Sequence, residues 1–315
     1  MKSTIALDIG SSRMRAGSYT AKSNEPIQYN QIPTRSEGMP IEDRLVNLIE
    51  SVWPEDYEVK SIAAACPGPL DPLNGIVVAP PNIPEWQYFP LQEFLRSTFN
   101  LPAAINKDAN LAAYGEWSFG AGKGYSNLIY LTISTGIGGG FIIDDKLLTG
   151  NTGFAGEVGH MSVIPQGPVC SCGKEGHLEA IASGPAIVRW IKSRLEDETL
   201  LDHFPEGELT AKHISDAAET GNELAIAAYE RAGKYIGLVI ADLLHIFNTS
   251  LVIIGGGVSR AGDLLFIPIQ KSVTESVLSD VYLDNLQILP AALGDNSGLL
   301  GALVLSREIA SNLSQ

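Results

Sequence analysis

The chain has 315 residues, of which 45% are hydrophobic and 18% are charged, a composition that excludes a disordered or fibrous protein. This length favours two domains, and small-molecule sites often lie in the cleft between two domains. The formal net charge of −15 argues against a polynucleotide partner, because nucleic-acid binding requires a basic surface.

The amino-terminal part of the chain begins with a predicted hairpin. Two short apolar segments, STIALDIG and MRAGSYT, flank a tight polar turn at residues 11–13. The spacing of Leu45, Leu48, Ile49 and Trp53 then predicts a helix. The next predicted elements are a buried strand that runs into a Pro/Gly loop (VKSIAAACPGPLD), a helix (FPLQEFLRSTF), a short strand (PAAINKDA) and a helix that ends near Gly120 (ANLAAYGEWSFG).

The opening pattern returns at Asn127. The segment NLIYLTI is predicted to be a strand, STGIGGG a glycine turn and FIIDDKLLTG a second hairpin strand with its own turn. Residues 184–247 have predominantly helical spacing, and SLVIIGGGVS is a predicted buried strand that ends in three glycines. The two hairpins predict a duplicated supersecondary plan. We expect a small α/β domain at 1–117, completed by a C-terminal helix at about 297–315, and a large α/β domain at 118–296.

The sequence contains no signal for a membrane or an oxidising compartment. Residues 1–10 are too short and too interrupted by a carboxylate for a signal peptide, and the most apolar helical stretch contains Asp242 and His245. Only three cysteines occur, and two of them, Cys170 and Cys172, are too close in sequence for a comfortable disulfide. A cytoplasmic protein is therefore expected.

Three glycine-rich turns follow predicted buried strands, at residues 8–12, 135–140 and 255–257. Glycine allows backbone N–H groups to converge on an anion because no Cβ stands in the way. One such turn is typical of an ordinary hairpin, but three in one chain favour a nucleotide site. The candidate phosphate-binding residues are Asp8, Gly10, Ser11, Ser12, Arg13, Thr135, Gly136, Gly138, Gly256 and Gly257.

Two common nucleotide-binding motifs do not fit these turns. The segment GAGKG lacks the earlier glycine of a P-loop, which is Trp117 here, and Gly124 stands where a Ser or Thr should bind Mg²⁺. The second turn has Phe141 at the last glycine position of a dinucleotide fingerprint, and a predicted strand follows it. The turns instead resemble those of the α/β, two-domain ribonuclease-H-like fold of actin, hexokinase and Hsp70-type ATPases. That resemblance implies an active site in the interdomain cleft, two hairpins that bind the phosphates, and a carboxylate such as Asp8 that holds Mg²⁺ through water.

A candidate metal site lies in a glycine- and proline-rich loop at residues 157–179. The loop contains His160, Cys170, Cys172 and His177. Two thiolates and two imidazoles are a sufficient tetrahedral ligand set for Zn²⁺. Four protein ligands would leave no open position, so such a zinc would be structural. The alternative is a loop with two reduced cysteines and two unrelated histidines.

The ordered series of motifs resembles the ROK family (repressors, open reading frames and kinases) over almost the whole chain. The matching segments are the first phosphate loop at 8–13, CPGPLD with its continuation PPNIPEW, KDANLAAYGE, STGIGGGFI and CSCGKEGHLEAIASGPA. The order of the motifs, rather than any one of them, makes the resemblance specific.

The resemblance implies an Mg-ATP-dependent sugar kinase in which Asp108 accepts the proton of the attacking hydroxyl, usually the 6-hydroxyl. Phosphoryl transfer requires little covalent chemistry from the protein, so an in-line geometry, one base and Mg²⁺ can suffice. The helical register of residues 109–116 also makes Asp108 a candidate helix N-cap, a role compatible with catalysis. The residues implied to line the sugar are Gly68, Asn82, Lys107, Asp108, Glu157, His160 and Glu179.

Four residues depart from the family pattern. Lys107 stands where the family usually has Asn immediately before the catalytic Asp. Its ammonium would alter substrate preference or lower the pKa of the neighbouring carboxyl by charge proximity, unless Asn106 takes the amide's place through a shifted loop. His177 replaces the third family cysteine, and Ser11 and Ser134 replace glycines.

The function expected first is that of a glucokinase. N-acetylmannosamine, N-acetylglucosamine, fructose and allose are alternative acceptors, and Lys107 keeps a non-catalytic sugar sensor as a further alternative. A repressor is disfavoured, because the first phosphate loop begins at Asp8 and leaves no room for a preceding DNA-binding domain. The expected partners are a hexose, ATP and a second copy of the chain in a homodimer, without nucleic acid or membrane.

Overall fold

The computed structural model describes residues 1–36, 38–80, 82–194 and 208–312. The strands are β1 (Lys2–Ile9), β2 (Arg13–Thr20), β3 (Gln28–Pro33), β4 (Glu58–Cys66), β5 (Leu70–Asp71), β6 (Ile76–Val77), β7 (Ala103–Lys107), β8 (Leu128–Ile133), β9 (Ile137–Ile143), β10 (Lys146–Leu147), β11 (Leu251–Gly255) and β12 (Gln287–Pro290). The helices are α1 (Ile41–Glu50), α2 (Leu91–Phe99), α3 (Asp108–Phe119), α4 (Leu178–Ala182), α5 (Gly184–Lys192), α6 (Ala211–Glu219), α7 (Glu223–Phe247), α8 (Asp263–Ser276) and α9 (Ser297–Asn312). The predicted α/β class is confirmed.

Most elements predicted from periodicity are present. The hairpins β1–β2 and β8–β9 and the helices α2 and α3 lie where the sequence pattern placed them, and α1 does so except that it ends at Glu50, before Trp53. The predicted helical stretch at 184–247 contains α5, α6 and α7, while residues 195–207 of that stretch lie outside the described residues. The last three residues of the predicted C-terminal helix, 313–315, also lie outside them.

The described chain forms two compact units. Unit 1 contains residues 1–124 and 146–155 and the chain from Ala292 onward, and unit 2 contains residues 125–145 and 156–291. The sequence-based boundary after residue 117 lies seven residues before the end of the first segment of unit 1. Residues 146–155 belong to unit 1 because they pack against it after the chain has already entered unit 2.

The sheet of unit 1 has the strand order β3-β2-β1-β4-β7. β2 is antiparallel to β1, whereas β4 and β7 continue the sheet in parallel. The two-residue alternation of β1 directs Ile5, Leu7 and Ile9 into the main hydrophobic cluster, which includes side chains of α1 and α2. The same alternation directs Asp8 to the opposite face, against the first turn of α9, where its Oδ1 lies 3.4 Å from the position of a Cβ on Gly298.

Helices α3 and α9 pack at very short range in unit 1. A Cβ on Gly301 of α9 would lie 1.7 Å from the carbonyl oxygen of Leu111 in α3. Real Cβ atoms do not approach backbone oxygens so closely, so only glycine permits this contact. The close packing holds α9, and therefore its first turn beside Asp8, in a fixed position against the sheet.

The carboxylate of Glu116, near the end of α3, is fully buried. Its oxygens accept hydrogen bonds from the N–H groups of Ala121 (3.0 Å), Ala292 (3.1 Å) and Leu293 (2.8 Å) and from the hydroxyl of Ser297 (2.9 Å). A buried charge requires such partners, because desolvation alone would make it strongly unfavourable. Glu116 therefore connects the end of α3 to the segment that starts α9.

Unit 2 repeats the connectivity of unit 1. Its strands have the order β9-β8-β11-β12, with β8 and β9 antiparallel and β8, β11 and β12 parallel. The segment Leu251–Gly255 is buried throughout, as predicted for a strand covered on both faces. The predicted duplicated supersecondary plan is therefore confirmed.

One predicted turn is too long. The segment STGIGGG was predicted to be a glycine turn, but the turn contains only residues 134–136, and Gly138, Gly139 and Gly140 belong to strand β9. The physical reason is close packing, because a Cβ on Gly139 would lie 2.5 Å from Cγ2 of Val158. Among the described residues, none of the helices has the length and the apolar run needed to cross a bilayer.

Candidate active site

Asp108 is the first residue of α3 and follows β7 directly. Its side chain is exposed, whereas those of Asn106 and Lys107 are buried. Asp108 Oδ1 accepts a hydrogen bond from the N–H of Ala109 at 2.7 Å, and the dipole of the first helical turn stabilises a negative charge there. Lys107 is the N-cap residue, so the predicted cap position is wrong by one residue. Asp108 presents a carboxylate at the beginning of the helix.

The ends of three parallel strands bring two carboxylates close to one thiol. Asp8 lies near the end of β1, Cys66 ends β4, and Asp108 follows β7, with Cys66 paired in register with Lys107. Burial raises the pKa of the Cys66 thiol well above its usual value, and the charges of Asp108 and Asp8 raise it further. The carboxyl ends of parallel strands are where α/β proteins bind ligands. Asp8 and Asp108 therefore belong to one candidate site in unit 1.

The residue before Asp108 is anchored by its own side chain. Lys107 Nζ donates a hydrogen bond to the carbonyl oxygen of Ala155 at 3.1 Å. Asn106 Oδ1 accepts hydrogen bonds from the N–H of Lys107 (2.8 Å) and from Asn110 Nδ2 (3.0 Å). Both side chains are therefore held within unit 1, that of Asn106 at the strand–helix junction and that of Lys107 at the carbonyl of Ala155. The effect of Lys107 on the site stays a prediction.

Asp8 forms an ion pair with Arg15 across the first hairpin. The two residues are directly opposite each other in the antiparallel register of β1 and β2, and Arg15 Nη2 donates to Asp8 Oδ2. Burial raises the pKa of the Asp8 carboxyl above its usual value, while the Arg15 guanidinium opposes that shift. Asp8 is a buried carboxylate with a permanently charged partner.

The first candidate phosphate loop is the turn between β1 and β2. Ser11, Ser12 and Arg13 are exposed, and the Gly10 N–H donates to the Arg13 carbonyl at 2.9 Å. Thr34 holds the loop from below: its N–H donates to the Ser12 carbonyl at 2.9 Å and its hydroxyl to the Gly10 carbonyl at 2.7 Å. The carbonyl groups of Gly10 and Ser12 therefore bind Thr34. An anion at the exposed tip of the turn would not meet these two oxygens.

The two candidate phosphate loops of unit 2 lie side by side. Thr135 and Gly136 follow β8, and Gly256 and Gly257 follow its parallel neighbour β11. Gly256 has a φ of +86°, and a Cβ there would lie 2.4 Å from the carbonyl oxygen of Ile133, so a side chain is excluded. The adjacent strand ends place the two loops together, as the proposal of a phosphate site requires.

The four candidate metal ligands converge in unit 2. The ligand atoms of His160, Cys170, Cys172 and His177 all lie within 4.8 Å of one another. Cys170 Sγ lies 3.7 Å from His160 Nδ1, and Cys172 Sγ lies 3.3 Å from His177 Nδ1. Tetrahedral Zn²⁺ with ordinary bond lengths requires a sulfur–nitrogen separation of roughly 3.6 Å. The side-chain set therefore fits a closed zinc site.

Glu179 connects this cluster to the second phosphate loop. Its Oε1 accepts a hydrogen bond from Ser171 Oγ at 2.8 Å and lies 3.8 Å from Cys170 Sγ. Its Oε2 accepts a hydrogen bond from the N–H of Ile137 at 3.0 Å. Glu157, an exposed residue, precedes the one-turn 3-10 helix Val158–His160 that carries the first histidine. The structure therefore brings His160, Glu179 and the metal-like cluster together.

Gly68 and Asn82 occupy two loops of unit 1. A Cβ on Gly68 would lie 4.0 Å from Cδ of Lys107, so the loop after β4 contacts the residue before Asp108. The carbonyl oxygen of Asn82 accepts a hydrogen bond from Arg35 Nη2 at 2.8 Å. Asn82 and Arg35 border a cavity of about 450 Å³. Sequence patterns did not indicate Arg35, because the contact joins loops 47 residues apart.

Comparison with known proteins identifies the family. A model of the ROK family matches residues 4–309 of the chain. The chain belongs to the ROK family. The glucokinase of Streptomyces coelicolor is 36% identical over 313 residues, which cover 97% of this chain and 98% of that protein. A ROK family glucokinase from Streptomyces griseus, solved in complex with glucose and AMPPNP, has a TM-score of 0.82 and 34% identity and covers 97% of this chain and 99% of its own.

These comparisons confirm the predicted actin-like ATPase fold and the ROK resemblance. The family also contains regulators. The xylose repressor of Caldicellulosiruptor bescii is 35% identical over 251 residues, which cover 78% of this chain and 62% of that protein. The chain is therefore similar to glucokinases over their full length and to longer repressors over only part of their length.

Proposed function

We propose that this protein is an ATP-dependent hexose kinase that transfers the γ-phosphoryl group of ATP to a hexose hydroxyl, with the 6-hydroxyl of glucose as the first acceptor to test. The observation that carries the proposal is the exposed carboxylate of Asp108 at the start of α3. It lies near the carboxyl ends of the parallel strands, in a chain that aligns over 97% of its length with a glucokinase.

Asp108 is proposed as the general base. Its carboxylate accepts the hydroxyl proton while the hydroxyl oxygen attacks the γ-phosphorus, and the bond from that phosphorus to the β–γ bridging oxygen breaks to release ADP. The Ala109 N–H bound to Oδ1 orients the carboxylate, and Oδ2 is the oxygen proposed to take the proton. A carboxylate oriented by the backbone requires little movement during the reaction.

The nucleotide is proposed to bind through the loops at the strand ends. Gly10, Ser11, Ser12 and Arg13 are the proposed phosphate contacts of unit 1, and Thr135, Gly136, Gly138, Gly256 and Gly257 are those of unit 2. Asp8 is the residue proposed to hold Mg²⁺ through water, which would neutralise charge on the β- and γ-phosphates. Because the chain is acidic overall, backbone N–H groups and this ion carry most of the phosphate recognition.

The sugar is proposed to contact polar side chains from both candidate groups. These are Asn82, Lys107 and Asp108, with Gly68 beneath them, and Glu157, His160 and Glu179. A carboxylate can accept hydrogen bonds from several hydroxyl groups at once, whereas an ammonium group can only donate hydrogen bonds. Lys107 in place of an amide therefore requires the hydroxyl it meets to act as an acceptor, which is our proposed source of substrate preference.

A structural zinc is proposed at His160, Cys170, Cys172 and His177. Burial raises the pKa of the Cys170 thiol, so the metal-free cluster holds that proton and a bound metal would displace it. His160 would bind the metal through Nδ1, the atom that faces Cys170, and keep its second nitrogen for the sugar. Bound zinc would fix the segment that carries Glu157 and Glu179.

Protein purified without chelator is expected to contain about one zinc per chain, since the four ligands form one closed site. Elemental analysis should show that Cys172→Ser loses the metal, because three ligands remain, whereas Cys66→Ala, a change outside the cluster, retains it. A chelator should lower the thermal midpoints of the wild type and of Cys66→Ala but leave that of Cys172→Ser unchanged. Wild-type protein without zinc, with a midpoint that chelator leaves unchanged, would overturn the zinc assignment.

We also propose a compartment and an oligomeric state for this protein. ATP and hexose phosphates are intracellular metabolites, so we propose a cytoplasmic enzyme. We propose a homodimer because two-fold dimers are the commonest soluble oligomers, and no nucleic-acid partner because the net charge is −15.

The proposed activity is tested with purified protein, Mg-ATP and a panel of sugars in a coupled assay for ADP. The panel contains glucose, fructose, allose, N-acetylglucosamine and N-acetylmannosamine. Turnover should require both sugar and Mg²⁺, with glucose the best acceptor. Sugar binding without turnover across the panel would instead identify a non-catalytic sensor.

A further inference from the structure

We infer that Arg15 is a positioning residue for the magnesium-binding carboxylate Asp8, a role that rests on the proposed kinase function. The two side chains face each other across the β1–β2 hairpin in direct register. Their side chains are only 20% and 10% exposed, respectively, and Arg15 Nη2 donates to Asp8 Oδ2. Because both side chains are shielded from solvent, this cross-strand ion pair differs from an exposed salt bridge, which contributes little to structure.

The surroundings of Asp8 explain why it needs this partner. Asp295 adds a like charge near the Asp8 carboxylate. On the α9 side, a Cβ on Gly298 would lie 3.4 Å from Oδ1 of Asp8. The first turn of α9 offers a partial positive charge, but Arg15 is the full cation that contacts the carboxylate. Removal of Arg15 would leave a buried carboxylate beside another acidic residue.

The ion pair also distinguishes the two oxygens of Asp8. Arg15 donates to Oδ2, whereas both oxygens lie at a similar distance, 3.4 Å and 3.6 Å, from the position of a Cβ on Gly298. We therefore assign Oδ1 as the oxygen that accepts from a water of hydrated magnesium, with the plane of the carboxylate set by the guanidinium.

The test measures AMPPNP binding by calorimetry with and without Mg²⁺ in wild type, Arg15→Met, Arg15→Lys, Asp8→Asn and the double variant. We expect Arg15→Met to reduce the Mg²⁺-dependent gain in affinity about tenfold, the size of one charge-assisted hydrogen bond, and to leave glucose affinity unchanged. Arg15→Lys should recover most of that gain. In the Asp8→Asn background, Arg15→Met should have no further effect, because the carboxylate it positions is gone.

The design separates the possible failures. Equal weakening of AMPPNP binding with and without Mg²⁺ would make Arg15 a direct phosphate contact and overturn the inference. A normal Mg²⁺ effect in Arg15→Met together with a lost effect in Asp8→Asn would also overturn it and leave the kinase proposal intact. A normal Mg²⁺ effect in Asp8→Asn would instead refute the magnesium role of Asp8. If Arg15→Met unfolds, two other variants provide folded comparisons. Arg15→Lys keeps both charges of the ion pair, and the double variant removes both.

Discussion

Asp108→Asn is expected to lower kcat by about 100- to 10,000-fold, the usual contribution of a general base. The amide has nearly the shape of the carboxylate but cannot accept the hydroxyl proton. Asp108 is exposed and lies at the first position of α3, so the change should cost little stability. Glucose affinity, measured by calorimetry, should stay within about threefold of the wild-type value, because binding requires only hydrogen bonds.

A matched control for this prediction lies in α8. Asp263 is also exposed and is also the first residue of its helix. Asp263→Asn removes the same charge from the same helical position and should leave kcat unchanged. Equal losses in the two variants would attribute the effect to a helix terminus rather than to catalysis. Full activity in Asp108→Asn would remove Asp108 from the mechanism.

Glu116→Gln is expected to lower the free energy of unfolding by about 3 kcal/mol, because it breaks a buried, charge-assisted network. The carboxylate of Glu116 accepts from three backbone N–H groups and from the hydroxyl of Ser297. An amide replaces one acceptor oxygen with a donor group, so at least one buried N–H would face another donor. Urea denaturation, with the slope compared between variants, measures the loss.

Glu230→Gln is the control for Glu116→Gln. Glu230 lies within helix α7, and its side chain is exposed. The same chemical change there should alter the free energy of unfolding by no more than about 0.5 kcal/mol. A Glu116→Gln protein as stable as the Glu230→Gln protein would show that the network is not needed for stability.

Local periodicity was sufficient for most elements of the fold. The alternating residues of STIALDIG and the helical spacing that starts at Leu45 reflect contacts with a nearby core, and the structure confirms both elements, although Trp53 packs on the core from beyond the end of α1. The duplicated plan was also visible, since the two hairpins have the same arrangement of apolar segments and turns. These features depend on residues that are near one another in sequence.

The glycine run after β8 shows where local pattern becomes ambiguous. Three consecutive glycines are typical of a turn, but here they form part of β9 because Val158 packs against Gly139. Glycine occurs both in turns, where the backbone must be flexible, and in strands, where another group approaches closely. Only the tertiary contact distinguishes the two cases. The sequence does not reveal that partner.

The same distinction separates the candidate site residues that sequence predicted from those it missed. The four metal-like residues lie within 18 residues of one another, so their grouping was visible, and the structure places their ligand atoms together. Glu116, a structural residue outside the candidate site, shows the same limit, because it binds residues more than 170 positions away, which no local pattern indicates. Arg15 was missed because the predicted turn at residues 11–13 would pair position 8 with position 16, whereas the actual register pairs Ile9 with Met14 and Asp8 with Arg15.

The identity of the phosphorylated product tests the central claim most directly. Protein incubated with Mg-ATP and glucose should yield ADP and a sugar phosphate in equal amounts, with phosphorus NMR placing the new ester on the 6-oxygen. That outcome requires a hydroxyl activated beside a bound γ-phosphate, which are the roles proposed for Asp108 and for the candidate phosphate loops. Release of ADP with inorganic phosphate and no sugar ester, or glucose bound without any change in ATP, would contradict the account.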